Sequence, residues 1–174
     1  KNLPYEEVLA LPDNKRKKPK NQDVILRYLL KILGRMLLIP NGFKCKKDDL
    51  KKLVKNEPCL ILMNHSCFTD LMIAVSIFSP RKLNIVCTSD GFVGKERLMR
   101  GLGCVPTQKF VTDIQIVKDI IYCIKTLKSS VLMYPEASYS FDGTATILPE
   151  SLGKLVKKLQ VPVMMISTKG AFLQ

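Results

Sequence analysis

The chain has 174 residues, 47% hydrophobic and 25% charged, which suits one folded domain and excludes a disordered segment. Its 28 lysines and arginines against 15 acidic residues leave a formal charge of +13, which favours anionic partners: nucleic acid, an acidic membrane surface or phosphorylated ligands. With no tryptophan and no helix-turn-helix, zinc-finger or RNA-recognition signature, nucleic acid is not expected.

Residues 11–20, LPDNKRKKPK, carry two prolines and five cations and read as a basic linker or loop. The following QDVILRYLLKILGRMLLIP predicts a helix whose apolar residues nearly surround it, with Arg27, Lys31 and Arg35 stacked four positions apart in one stripe. Three charges argue against a spanning helix. The pattern fits a helix lying in a membrane interface, cations toward lipid phosphates, or a core-packed amphipathic helix with a basic solvated edge. No secretory signal peptide and no uninterrupted apolar span of membrane length is visible. Residues 1–40 are therefore expected to form a basic, membrane-associating leader to a domain over 41–174. The chain opens on Lys1 and stops at Gln174 just after an apolar run, so both ends are expected to be cut.

From there short apolar runs alternate with helical patterns. Runs at 58–64, 82–89, 104–107, 130–135 and 161–167 have the length and near-continuous apolarity of strands covered on both faces. In 112–128, Val117, Ile120, Ile121, Ile124 and Leu127 share one helical face, with Thr112 and Gln115 placed for a capping box. In 149–159, Leu152, Leu155, Val156 and Leu159 form the apolar stripe, and Lys154, Lys157 and Lys158 fall where cations complement the helix dipole. This alternation predicts an α/β layered αβα domain around a largely parallel mixed sheet, preceded by the basic amphipathic helix.

Six cysteines stand at 45, 59, 67, 87, 104 and 123 without a C-x-x-C pair, several inside apolar runs, as buried reduced thiols would. With one histidine and such wide cysteine spacing no metal site is expected. That histidine lies in NHSCFTD, residues 64–70, where an apolar strand delivers His65 to a loop and FTDLMIAVSIF reads as the next helix. Loops at the carboxyl ends of parallel strands are where α/β proteins place ligands. Thr69 or Ser66 can cap the helix, and a tight turn can fold Asp70 back onto His65. A carboxylate accepting one ring N–H fixes the tautomer and leaves the other nitrogen as a base, which is the base-and-orienter half of a triad without its own nucleophile. Two other assignments stand beside this one. Asp70 can serve as a helix cap with His65 bonded locally, and Cys67 can act as a nucleophile beside His65.

A second polar loop follows a strand in VLMYPEASYSFDG, residues 131–143. Together the two loops resemble the glycerolipid acyltransferase family. Asn64, His65 and Asp70 match its N-H-x-x-x-x-D motif, and Tyr134, Pro135, Glu136, Ser138 and Ser140 match F-P-E-G-T-R-S. Gly103 and Lys109 stand where the family has a glycine and, six residues on, a phosphate-binding arginine; Val161, Pro162 and Val163 match its V-P-V strand. The resemblance implies acyl transfer from acyl-CoA or acyl-carrier protein, with no tightly bound cofactor, to a hydroxyl of a lysophospholipid or glycerol-phosphate-type acceptor at the cytoplasmic side of a membrane. It implies His65 as general base and Asp70 as its orienter, and a substrate-binding set of Asn64, Lys109, Glu136, Ser138 and Tyr139. Two departures bear on the acceptor. Ala137 and Tyr139 replace the third motif's Gly and Arg, and Lys109 replaces an arginine fork with a point charge, so the phosphate grip is weakened. The alternative is a catalytically impaired lipid- or membrane-binding domain on the same fold.

Overall fold

The computed structural model describes residues 17–45, 57–67, 69–108, 114–136, 140, 148 and 150–171. Their element order is α1 (Val24–Leu38), β1 (Leu60–Met63), α2 (Asp70–Phe78), β2 (Leu83–Thr88), a 3-10 turn (Ser89–Phe92), α3 (Glu96–Gly101), β3 (Cys104–Thr107), α4 (Ile114–Lys125), β4 (Ser130–Met133), α5 (Glu150–Leu159) and β5 (Val163–Ile166). The five strands form one sheet in the order β3-β2-β4-β1-β5. Every pairing among the described residues is parallel, in keeping with the largely parallel sheet expected from sequence. The reason is the connections. Among the described residues each strand leads into a helix before the next strand, and no hairpin supplies an antiparallel neighbour.

Layering follows from the strand period of two. On β1, Ile61 and Met63 face a core shared with Ile73, Ala74 and Phe78 of α2, whereas Leu60 and Leu62 face Ile116, Ile120 and Ile124 of α4 and Leu152 and Leu159 of α5. All four β1 residues are buried, which is why the strand reads as an unbroken apolar run. The sheet is thus covered on both faces, and β1, held between β4 and β5, points its carboxyl end at the loop carrying His65.

Helix α3 has no counterpart in the sequence reading, because six residues are too few for a helical period to show. It fixes the end of the basic run. The Arg100 guanidinium donates to the carbonyls of Lys17 and Lys18, and the buried Asn84 amide donates to the carbonyls of Lys20 and Gly103 at 2.9 and 2.7 Å. Residues 17–20, read as part of a linker, are therefore bound to the domain; residues 11–16 lie outside the described residues, as does Thr112 of the expected capping box.

Asp23 caps α1, its carboxylate accepting the N–H of Ile25 and Leu26. The helix packs on α2 at Gly34, where a Cβ would meet Ser76 Oγ at 2.5 Å and the Met72 carbonyl at 3.1 Å. Its buried residues are Gly34 and Leu38, with Arg27 and Lys31 half-buried beside them. The opposite face is apolar and exposed: Ile25 is 79% exposed, Met36 67%, Ile32 56%. The usual polarity of a surface helix is inverted here, with cations bordering the protein-facing seam and hydrophobic residues turned outward. Packing against the domain accounts for the seam and leaves the apolar face unexplained.

Burial pushes the Cys59 thiol up, and it pushes the Cys123 thiol up to about 12, so both are protonated packing groups at neutral pH.

Gly103 has φ +78°, and a Cβ there would stand 2.6 Å from Gln22 Cγ and 3.0 Å from the Leu83 carbonyl. Gly103→Ala is expected to cost about 1–3 kcal/mol of stability through left-handed backbone strain and overpacking, measured by urea unfolding.

Candidate active site

The chain leaves β1 at Met63 and is immediately braced. The Asn64 side-chain oxygen accepts from the Thr168 N–H at 2.7 Å and from its hydroxyl at 3.1 Å, and the Asn64 amide donates to the Thr168 carbonyl at 3.0 Å. This ties the exit of β1 to the exit of β5. The next residues wind around one carboxylate. Asp70 is fully buried at the first position of α2, and its Oδ2 accepts the backbone N–H of Ser66, the N–H of Cys67 at 3.0 Å and, at 3.0 Å, His65 Nδ1. With two backbone N–H groups already directed at Oδ2, a ring N–H on Nδ1 completes its acceptor set and leaves Nε2 as the nitrogen not bonded to Asp70.

The imidazole is 20% exposed, and its face is covered from β4. The Tyr134 ring, one residue past that strand, stacks on it with centroids 4.0 Å apart and planes inclined by 18°. From beyond Tyr134 the Ser140 N–H reaches back to the His65 carbonyl at 2.8 Å. The loops after β1 and β4 therefore build the site jointly.

The sequence pattern of the acyltransferase family matches residues 44–169, which contain all of this geometry. The chain belongs to the acyltransferase family. Its fold is similar to that of the 1-acyl-sn-glycerophosphate (LPA) acyltransferase PlsC from Thermotoga maritima, with a TM-score of 0.52 over 86% of this chain and 77% of that one. Identity is 14%, so that likeness is one of fold. No curated protein matches the sequence.

Within this acyltransferase the two loops that carry the family resemblance meet at the carboxyl rim of the sheet. His65 and Asp70 are in contact, and Glu136, half-buried, follows Tyr134 by two residues. Lys109, Ser138 and Tyr139 lie outside the described residues. Asn64, expected to contact substrate, makes its described bonds to Thr168 and Ser66. Thr69 occupies the helix-cap position but makes no capping side-chain bond, contrary to expectation; its Oγ1 lies 2.7 Å from Cys67 Sγ instead. Cys67 packs against the α2-side core. Among the described residues no group of three or more His, Cys, Asp or Glu side chains could hold a metal ion. A cleft of about 640 Å³ between the Lys20–Leu26 segment and α3 contains neither His65 nor Asp70.

Tyr134, Ser140 and Thr168 are site residues that sequence reasoning either matched only to a motif or missed. Their roles depend on β4 and β5 flanking β1, an order that nothing in the local pattern encodes.

Replacing Asp70 by Ala removes the acceptor of the buried Ser66 N–H and two others, at an expected cost of about 1–3 kcal/mol or more. Asp70→Asn keeps an oxygen in place and is expected to lose less. Urea unfolding of both variants ranks them, and equal losses would remove the bracing role of the oxygen.

Proposed function

We propose that this acyltransferase is membrane-associated and moves a fatty acyl group from acyl-CoA or acyl-carrier protein to a hydroxyl of a lysophospholipid or glycerol-phosphate-type acceptor. The observation that carries the proposal is the 3.0 Å contact of His65 Nδ1 with Asp70 Oδ2 at the sheet rim of an acyltransferase-family chain. His65 Nε2 takes the acceptor's hydroxyl proton as its oxygen attacks the thioester carbonyl. The C–S bond then breaks, and the same proton passes to the leaving thiolate. A base-and-orienter pair without a protein nucleophile fits direct transfer, since the acceptor supplies the attacking oxygen. Glu136, Ser138, Tyr139 and Lys109 would place the acceptor. One lysine and a phenol in place of two arginines favour an acceptor other than lysophosphatidic acid, because neither can grip phosphate with a bidentate fork.

Membrane association is supported by α1. No described helix is long and apolar enough to cross a membrane. The exposed apolar face of α1, bordered by Arg27, Lys31 and Arg35, suits a helix seated in the interface, its hydrophobic side among acyl chains and its cations at phosphate level. α1 lies against α2, whose first residue is Asp70, so docking would hold the reaction centre beside a lipid acceptor. A peripheral or monotopic placement on the cytoplasmic side follows from the choice of acyl donor.

Thioester consumption with a panel of lysolipids tests the chemistry. His65→Ala is expected to lower turnover about 10²–10⁴-fold while leaving vesicle binding intact. Turnover that survives the substitution rejects the base assignment, and vesicle binding by a wild type inactive on every acceptor points to the impaired lipid-binding domain.

Flotation with anionic vesicles tests the docking. Binding is expected at low salt, weaker as ionic strength shortens the Debye length, and lost in Ile32→Asp with Met36→Asp. A wild type that stays unbound at low salt removes the membrane role of α1.

A further inference from the structure

Resting on the acyl-transfer reading, we infer that Tyr134 is a positioning residue of the reaction: its ring fixes the plane of the His65 imidazole and stabilises the imidazolium formed at mid-transfer. The hydrogen bond to Asp70 holds the ring at a single edge. That bond by itself leaves a tilt about the Nδ1 contact open, and a tilt swings Nε2 through the widest arc of the ring. The stacked phenol, 4.0 Å away and within 18° of parallel, closes off that motion. The two constraints are independent, one in the ring plane and one perpendicular to it.

The same geometry bears on charge. As the hydroxyl oxygen bonds to the thioester carbon, its proton moves to Nε2 and the ring becomes cationic until the proton passes to the departing sulfur. During that interval the cation lies between the Asp70 carboxylate at its edge and the electron-rich face of Tyr134. An aromatic face attracts a cation most strongly where water is excluded, and the imidazole here is mostly buried. The attraction exists only while the ring is charged, so it acts on kcat rather than on acceptor binding.

Tyr134 reaches this position through topology. β4 pairs in parallel with β1, Leu62 opposite Met133, so the residue after β4 stands beside the residues after β1. The Ser140 N–H bond to the His65 carbonyl then holds the two loops together.

The chain has a single histidine, so one set of imidazole C–H signals reports on the ring directly by NMR. In the wild type those signals are expected upfield, under the ring current of the phenol. Tyr134→Leu should move them downfield and lower kcat about 10–100-fold with KM for the acceptor little changed. Tyr134→Phe, which keeps the ring, should restore the upfield position and recover kcat to within about threefold of the wild type. Should the leucine variant unfold, Tyr134→Met serves in its place, and the NMR signals establish that it is folded. Wild-type kcat in a folded variant without the aromatic ring overturns the proposal while leaving His65 as base. A phenylalanine variant as impaired as the leucine one overturns it too. Absence of turnover in the wild type removes this inference together with the acyl-transfer reading.

Discussion

One carboxylate oxygen organises the carboxyl rim of this sheet. Asp70 Oδ2 collects two backbone N–H groups and a ring N–H inside a fully buried pocket, where unmade hydrogen bonds are costly and made ones are strong. That demand fixes the path of residues 65–67, since three donors from successive residues must converge on a single point. It also fixes where α2 begins. The histidine is therefore held by a loop that has little freedom to be otherwise. The loop's approach is set in turn by β1, buried along its length and braced at its exit by the Asn64–Thr168 bonds.

Helix α2 links this centre to the outer surface. Its first residue supplies the organising oxygen, and its middle turns receive α1 at Gly34, where the backbones approach too closely for a side chain. The inverted polarity of α1 follows from that contact. Arg27 and Lys31 border the seam, and the remaining circumference must be apolar and outward. In water such a face is unfavourable, because burying it in an apolar medium would gain roughly 25 cal/mol per Å². The proposed seat in a lipid interface would resolve the conflict by giving both faces of the helix a suitable surrounding.

The sequence displayed the strands and long helices clearly because each is a repeated signal: apolar runs for β1 to β5, a 3.6-residue stripe for α4 and α5. The His65–Asp70 contact was also legible, since the six residues between the end of β1 and the start of α2 leave few ways to fold. Two features were not. Helix α3 is too short to repeat. The stacking of Tyr134 on His65 joins residues 69 positions apart and requires the order β4-β1-β5, which is decided by global packing. Local chemistry was readable; which loops share an edge was not.

The departures from the family motif fit the same physical picture. Where Lys109 and Tyr139 stand, an arginine fork would select a phosphate headgroup by paired hydrogen bonds. On the proposed reading, the base, its orienter and the stacked ring would act on the hydroxyl and would be indifferent to the headgroup. On that reading catalysis and acceptor choice would fall to separate residues, the first to the buried contacts after β1 and β4, the second to Lys109 and Tyr139. An enzyme that meets its acceptor in a bilayer needs less from the headgroup, since two-dimensional confinement already raises the acceptor's local concentration. On that basis a weakened phosphate grip is compatible with turnover, and a lysine and a tyrosine in place of the motif arginines would change the substrate rather than the chemistry.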